Sequence, residues 1–337
     1  MKGIRWDKSI NIYIFTIKIM NDSKFASMNI KSKSLFASVI FSVFQIMAGC
    51  KANNKAISFY VFSDTHLLNT QNRYDVIDSM ITEANSLYLK DFPDTLSYLK
   101  KQKSKGILIC GDLTDGAMPD QWGKFIQLFG LHGENHLKMP VYENYGNHDG
   151  DTSGVVRRAI RERNKFRKNL ANVSENGMHY SWDWGNYHFV SLGSYPSDKW
   201  DPTCGWCHYF KSSFREPQES LSFLRNDLKK YTNKNKKIIM YFHYGWDSFS
   251  KLWWTEDEQQ KFYDVIKDYN VAAIFTGHNH GTGYLKWNGI DVYSAGSPQS
   301  GQKTGSFLFV QAGKDSLYVI ERKLNKWGTQ SFRKALE

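Results

Sequence analysis

Cysteine is scarce in this chain, with only four among 337 residues. Cys204 and Cys207 have the spacing of a redox motif or of half a zinc site, but no second pair exists to complete four sulfur ligands. The strand-to-helix context of a thioredoxin-like motif is also missing around them. We therefore predict a local disulfide between Cys204 and Cys207 in an oxidising compartment, and a place in the core for Cys110.

Acidic residues are also in the minority, because 44 Lys and Arg face 33 Asp and Glu, which gives a net charge of +11. Residues 1–49 hold seven of the basic and two of the acidic residues, so the rest of the chain carries +6. Such a mild excess does not by itself indicate a nucleic-acid partner. No linker, repeat or low-complexity tract follows residue 56, so we predict one folded domain over residues 57–337.

The N-terminal segment reads as an export signal that is removed rather than folded. A basic start from Met28 precedes an apolar core at residues 35–44, which is too short for a comfortable membrane span. The small residues before Cys50 resemble a bacterial lipobox, although Met47 stands where leucine is usual. We therefore predict a lipoprotein-type signal peptide at residues 28–50, with Cys50 lipidated; a plain signal peptide with an incidental cysteine is the alternative.

The residues on either side of this signal, together with a lipid on Cys50, predict where the protein is located. Residues 1–27 precede it, and a signal peptide normally begins at the initiator, so we interpret them as an over-extended N-terminus. Residues 51–56 would form a polar tether. Acyl chains on Cys50 would anchor a soluble domain, so the predicted protein is exported and membrane-anchored, in the periplasm or at the cell surface. No nucleic-acid partner is expected there.

Runs of β-branched and aromatic residues alternate with segments of helical spacing. The predicted strands cover residues 57–62, 106–110, 141–145, 187–192, 237–242 and 271–275. The predicted helices cover residues 75–88, 92–103, 120–129, 155–170, 216–231 and 255–269. Shorter strands separated by glycine turns follow residue 284 and predict antiparallel sheet. This order predicts an α/β architecture, in which functional groups collect at the carboxyl ends of the strands.

Residue types that bind metals follow five of the predicted strands. In chain order they are Asp64 and His66, then Asp112, then Asn147, His148 and Asp149, then His243, and last His278 and His280. A single histidine at a strand end is more often packed or capped than a ligand, but five such ends in order argue against coincidence. Mixed imidazole and oxygen ligands suit Zn, Mn and Fe better than Mg or Ca.

These motifs resemble the signature of the calcineurin-like metallophosphoesterase superfamily, in the expected order and spacing over residues 57 to about 310. The resemblance implies a single-domain, four-layer α/β/β/α sandwich with two central mixed β-sheets. It implies that one metal ion is held by Asp64, His66, Asp112 and His280, and the other by Asp112, Asn147, His243 and His278. Asp112 would then bridge the two ions.

The same resemblance implies a hydrolase for phosphate esters with two divalent or trivalent transition-metal ions, Mn, Fe or Zn, as cofactors. A hydroxide bridging the ions would attack phosphorus in line. His148 would serve the leaving oxygen, and Asp149 would orient its imidazole. Phosphomonoesterase activity is favoured. A phosphodiesterase acting on a phospholipid, a nucleotide or a similar diester is the alternative, and a non-catalytic binding lipoprotein is a third reading.

Purple acid phosphatases look similar but carry Tyr in place of Asp115 and a non-histidine in place of His66, so their chromophoric Tyr–Fe(III) pair is not expected.

Three features stay open at this stage. Asp115 itself could orient a histidine or cap a helix. The aromatic residues 244–254 could form a substrate wall or staple the next helix to the core. The basic residues 155–168 could attract a polyanion, although a solvated face is the more common reading.

Overall fold

The computed structural model describes residues 56–68, 71–205, 209, 212–233, 236–298 and 305–336, which belong to one compact unit. Its strands are β1 (Ile57–Phe62), β2 (Ile107–Ile109), β3 (Val141–Glu143), β4 (Leu170–Val173), β5 (Tyr180–Trp184), β6 (Tyr187–Ser191), β7 (Lys237–Tyr241), β8 (Val271–Thr276), β9 (Gly283–Trp287), β10 (Ile290–Ser294), β11 (Ser306–Ala312), β12 (Ser316–Lys323) and β13 (Lys326–Ala335). Its α-helices are α1 (Gln71–Ser86), α2 (Pro119–Phe129), α3 (Val155–Phe166), α4 (Ser212–Arg215), α5 (Ser220–Tyr231) and α6 (Glu256–Ile266).

The strands form two mixed sheets. Sheet 1 has the order β13-β12-β11-β1-β2-β3, and sheet 2 has the order β4-β5-β6-β7-β8-β10-β9. In sheet 1, β1, β2 and β3 run parallel, whereas β11, β12 and β13 pair antiparallel. In sheet 2, β6, β7, β8 and β10 run parallel. Each sheet therefore gathers the carboxyl ends of several neighbouring strands at one edge, where loops can carry functional groups.

Apolar side chains of the two sheets pack against each other between the layers. The ring of Phe59 on β1 lies 5.3 Å from that of Phe189 and 6.0 Å from that of Phe275, both on sheet 2. A second apolar cluster joins sheet 1 to α1, α2 and α3, and a third joins sheet 2 to α5 and α6. Burying each such phenylalanine is worth about 1.5–3 kcal/mol. The predicted four-layer sandwich with two central mixed sheets is confirmed.

The predicted strands are all present, and so is the antiparallel sheet after residue 284, but the predicted helix at residues 92–103 is wrong. Pro93 leads only into a 3-10 turn at Asp94–Leu96. Farther along, the backbone of Lys100 exchanges hydrogen bonds with the side chain of Gln311 on β11. These bonds hold the segment in an irregular conformation beside sheet 1. It is not helical because proline and the tertiary contacts outweigh the helical spacing of its residues.

Three arginines in or directly after α3 face inward, which neither sequence interpretation anticipated. Arg157 is fully buried and donates to the carbonyls of Phe214 and Glu216. Arg163 and Arg167 form ion pairs with Glu143, which is buried at the end of β3. Burial opposes ionisation of Glu143, but the two guanidinium groups hold the pKa of its carboxyl below the usual range. The solvated-face interpretation is therefore wrong for these arginines.

Several sequence predictions fall outside the part of the chain that the structure describes. They are the over-extended residues 1–27, the signal peptide at 28–50 with Cys50, most of the tether at 51–56, and Cys207. Among the cysteines that are described, Cys110 has a free thiol in the core, and Cys204 is buried and disulfide-bonded. Within the described ranges, no helix has both the length and the apolarity needed to span a bilayer.

A charged cluster around the buried side chains of His188 and Asp227 joins sheet 2 to α5. The Nδ1 atom of His188 lies 2.8 Å from Asp183 and its Nε2 atom lies 2.7 Å from Asp227. Lys236 pairs with the other oxygen of Asp183 at 2.7 Å. Burial opposes the charged imidazole, but hydrogen bonds to Asp183 and Asp227 raise the pKa of His188 above its ordinary value. Both ring nitrogens can then donate, so the protonated form fits this site.

This cluster predicts a pH-dependent contribution to stability. Because the folded-state pKa of His188 is raised, the contribution is fully present below the unfolded value of about 6.5 and is lost as pH rises through the folded value. His188→Gln should lower the free energy of unfolding by about 1.5–3 kcal/mol near pH 5.5 and by less near pH 9. Urea denaturation at both pH values measures the difference, with His132→Gln, at an exposed histidine, as the control. A loss that does not change with pH would contradict the prediction.

Candidate metal centre

The metal-binding residue types that follow the strands come together at the carboxyl edges of both sheets. Sheet 1 supplies Asp64 and His66 after β1, Asp112 after β2 and Asn147 after β3, and sheet 2 supplies His243 after β7 and His278 and His280 after β8. The residues converge in three overlapping groups, whose ligand atoms lie within 4.8 Å of one another. His148 joins His66 and Asp112 in one of these groups.

The backbone turns sharply at most of these positions. The residues with a left-handed backbone are Asp64 (φ 52°), His66 (φ 39°), Asp112 (φ 51°), His278 (φ 72°) and His280 (φ 61°). This conformation is uncommon for residues other than glycine and costs about 1–3 kcal/mol at each position. Backbone hydrogen bonds hold it, because Asp64 donates to the Gly111 carbonyl at 3.1 Å and His66 donates to the Asp112 carbonyl at 3.0 Å. The turns direct these side chains toward a common centre.

Two glycines allow the segments to approach closely. A Cβ atom on Gly146 would collide with the carboxylate of Asp112, and one on Gly277 would collide with the Ser63 hydroxyl. Each glycine immediately precedes a candidate ligand, Asn147 in the first case and His278 in the second. The glycines are therefore required by the packing of one ligand loop on another rather than by flexibility.

The first set of ligand atoms surrounds Nε2 of His66. This atom lies 3.1 Å from Nε2 of His280, 3.4 Å from Oδ2 of Asp112 and 3.9 Å from Oδ1 of Asp64. His280 in turn lies 3.6 Å from the same oxygen of Asp64. Two imidazole nitrogens and two carboxylate oxygens thus face one point.

The second set surrounds Nε2 of His243. This atom lies 3.1 Å from Oδ2 of Asp112 and 3.1 Å from Oδ1 of Asn147. It also lies 3.2 Å from Nδ1 of His278. Oδ2 of Asp112 belongs to both sets, which is the arrangement that a bridging carboxylate requires.

These distances fit the binding of metal ions. Donor atoms that each lie about 2.0–2.2 Å from one ion are about 3–3.5 Å apart, close to the spacings within both sets. The ring protons agree as well. Nδ1 of His243 donates to the Cys110 carbonyl at 2.7 Å, and Nδ1 of His66 donates to Asp115 at 3.1 Å. In the neutral imidazole each Nε2 then keeps a lone pair directed at the centre, which a metal ion can take up.

Burial and mutual charge shift the pKa values of these groups. Burial raises the pKa of Asp64 to about 7 and lowers that of His66 to about 4. Burial also opposes the charged forms of Asp112 and His243, but their attraction prevails. It holds the pKa of Asp112 well below its usual range and raises that of His243 to about 9. An ionised carboxylate buried in this centre is therefore stable only beside a positively charged partner.

His148 and Asp149 do not form the predicted pair. Nδ1 of His148, an exposed residue, donates to the backbone carbonyl of Asp115 at 2.7 Å. Asp149 is fully buried, and its two oxygens accept hydrogen bonds from Gly146 N, Leu113 N, Thr114 N and Thr114 Oγ1 at 2.9–3.1 Å. The prediction that Asp149 orients the imidazole is therefore wrong. Its carboxylate ties the loop after β2 to the loop after β3.

Asp115 takes the orienting role, through two different groups. Its carboxylate accepts from Nδ1 of His66, and its carbonyl accepts from Nδ1 of His148. Of the two readings left open for Asp115, orientation of a histidine is the one that these contacts match. In the sequence, the only indication that Asp115 orients a histidine is its position three residues after Asp112.

A cavity of about 420 Å³ opens onto the centre. Its lining residues are Asp112, Asn147, His148, Phe249, Trp253, His278, Asn279 and His280. The aromatic residues 244–254 are divided between the core and this cavity. Tyr244 and Trp254 are buried, and the Trp254 ring donates to the Gly245 carbonyl at 3.0 Å, which fastens the loop to the core. Phe249 and Trp253 line the cavity, as does Asn279, which the sequence reasoning had missed.

The fold and the shared carboxylate are those of a hydrolase centre with two metal ions. The model of the calcineurin-like phosphoesterase family matches residues 57–282, and the chain belongs to this family. The family depends on a dinuclear metal site, and its members hydrolyse phosphoric ester bonds. The resemblance inferred from the sequence is confirmed.

Individual relatives agree with this assignment. Purple acid phosphatase 23 of Arabidopsis thaliana is 24% identical over 180 residues, which are 52% of this chain and 34% of that protein, so the chain spans about a third of that relative. A dimetal phosphatase from Danio rerio is 10% identical, with a TM-score of 0.56 over 83% of this chain and 99% of its own. GAP50, the anchor in the inner membrane complex of Plasmodium, is 12% identical, with a TM-score of 0.52 over 84% of this chain and 89% of its own. At these identities the two structures support the fold alone.

Proposed function

We propose that the protein is a phosphomonoesterase that uses two transition-metal ions, Mn, Fe or Zn. One ion would be held by Asp64, His66, Asp112 and His280, and the other by Asp112, Asn147, His243 and His278. The observation that carries the proposal is the position of Asp112 Oδ2, which lies 3.4 Å from Nε2 of His66 and 3.1 Å from Nε2 of His243. Retention of the seven ligands together with His148 supports catalysis over a purely binding role.

Electrostatic attraction favours a monoester over a diester. When bound, the two ions would activate water as the nucleophile and neutralise the phosphoryl oxygens. Asp64 and Asp112 supply two negative charges and the other ligands none, so a site with two divalent ions stays positively charged even after the water has become hydroxide. Such a site attracts the dianion of a monoester more strongly than the monoanion of a diester.

His148 would serve the leaving oxygen. Its ring lines the cavity, and Nδ1 is held by the Asp115 carbonyl, which leaves Nε2 for the substrate. Burial opposes protonation of His148, but the charge of Asp112 and the hydrogen bond to Asp115 raise the pKa of its imidazole. The hydrogen bond to the Asp115 carbonyl does not depend on the charge of Asp112, and it favours the protonated ring that a general acid requires.

Assays with two esters and a chelator test the proposed activity. We expect p-nitrophenyl phosphate to be hydrolysed much faster than bis-p-nitrophenyl phosphate, because the second aryl group removes one negative charge. Chelation should abolish turnover, and Mn, Fe or Zn should restore it. The opposite ester preference would favour the diesterase alternative, and activity that is indifferent to chelator would contradict the metal mechanism.

Two variants separate the duties of neighbouring side chains. His148→Ala should lower kcat by about 10²–10⁴-fold without loss of bound metal, because it removes a proton donor and no ligand. Asp115→Ala should weaken metal affinity by about 10–100-fold, because His66 loses the group that orients it. Turnover and metal content measured on both variants check this, with Asp120→Ala, an exposed carboxylate nearby, as the control. Metal loss in His148→Ala would assign it a different role.

We also propose export and lipid anchoring through Cys50. The disulfide at Cys204 supports a location in an oxidising compartment, since disulfides persist there and are rare in the cytosol. Acyl chains on Cys50 would hold the domain at a membrane. Metabolic labelling with a fatty acid should mark the wild-type chain and not Cys50→Ala. Equal labelling of both would overturn the proposal.

A further inference from the structure

We propose that the cavity takes phosphate esters whose alcohol carries a flat, uncharged aromatic ring, and that this ring stacks on Phe249. The inference rests on the proposed function, because it names the substrate class of the same site. Four observations support it: the stacking of Phe249 on a candidate ligand, its exposure, the rigidity of its loop and the absence of lysine and arginine from the described lining.

Phe249 stands beside the second set of ligand atoms. Its ring is nearly parallel to the imidazole of His278, with centroids 4.6 Å apart and an angle of 14° between the planes. The ring of Trp253 lies at 6.1 Å from it and at 74°. One face of Phe249 is therefore covered, yet the residue is 45% exposed and lines the cavity. It thus offers aromatic surface beside the candidate ligands that a ring in the cavity could cover.

The loop presents this ring in a fixed position. Oδ1 of Asp247 accepts from the backbone N–H groups of Phe249 and Ser250, both at 3.0 Å. Its other oxygen accepts from the Ser250 hydroxyl at 2.6 Å. Buried Trp253 and Trp254 anchor the end of the loop. A wall that is already ordered stacks on a ligand without a large entropic cost.

The rest of the cavity wall defines what else the alcohol can carry. Among the described residues that line it, none is a lysine or an arginine. Three arginines in or directly after the basic helix α3 point into the protein instead, where Arg157, Arg163 and Arg167 bind carbonyls or Glu143. A second phosphate or a carboxylate on the substrate would therefore meet no lysine or arginine in the described part of this lining. An uncharged aromatic group meets Phe249 and Trp253.

Two phosphate esters with the same two-carbon chain, one ending in an aromatic ring and one in a saturated ring, separate the effect of ring stacking from that of size. We expect kcat/KM of the wild-type protein to be about threefold to tenfold higher for 2-phenylethyl phosphate than for 2-cyclohexylethyl phosphate, because only the first has a flat π face. Both alcohols are similar leaving groups, so the ratio reports the ring. Phe249→Leu should bring the ratio close to one, and Phe249→Tyr should keep it. Phe166→Leu removes an exposed aromatic ring outside this lining and should leave the wild-type ratio unchanged.

Binding without turnover gives an independent readout. Calorimetry with 3-phenylpropylphosphonate and 3-cyclohexylpropylphosphonate should give the same preference for the aromatic ligand. Metal content is measured in each variant, because Phe249 also packs on His278. If Phe249→Leu loses metal, the stacking inference is judged from the ratio of the aromatic to the cyclohexyl compound in the wild type and in Phe249→Tyr.

The outcomes separate this inference from the proposed function. Equal hydrolysis and equal binding of the aromatic and cyclohexyl compounds by the wild type would overturn the inference and leave the phosphomonoesterase intact. So would a preference that persists in metal-replete Phe249→Leu. Absence of hydrolysis of any monoester would instead overturn the proposed function, and the phosphonate ratio would then still test the stacking.

Discussion

The position of the Asp112 carboxylate is the constraint on which the site depends. Its Oδ2 atom lies within 3.4 Å of His66 from sheet 1 and 3.1 Å of His243 from sheet 2. Each set of ligand atoms therefore contains groups from both sheets, and a shift of one sheet against the other would break both sets at once. A buried carboxylate is costly unless a positive partner meets it. The apolar layer between the sheets, with Phe59 packed on Phe189 and Phe275, fixes that alignment.

Polar side chains that do not face the centre hold its loops in place. Asp149 accepts four hydrogen bonds that join the loops after β2 and β3, and Asp115 braces both His66 and His148. The left-handed backbone conformations at the ligands are unfavourable in isolation. They persist because these hydrogen bonds fix the loops. Rigidity at the centre is thus maintained from outside it. Phe249, stacked on His278, and Trp253, edge-on to it, continue the same support toward the cavity.

The wrong expectations have a common physical cause. Asp149 follows His148 directly, and adjacency suggested a contact, but neighbouring residues in a tight turn point in different directions. The arginines of α3 recur at helical spacing, and spacing alone does not tell a solvated face from a buried ion pair. The helix predicted at residues 92–103 failed because bonds to Gln311 and Ser58 hold that segment in an irregular form. In each case the deciding partner lies far away in the sequence.

The sequence by itself determined the alternation of strands and helices and which residue types follow the strands. Apolar runs that alternate with helical segments predict buried strands in an α/β architecture, and Asp, Asn and His at five strand ends predict a metal centre where those strands end. Only the tertiary structure decided which atom each residue offers, which carboxylate braces which ring, and that Phe249 faces the cavity. These properties depend on left-handed turns and on contacts between residues up to 214 positions apart, such as His66 and His280, which composition and spacing do not encode.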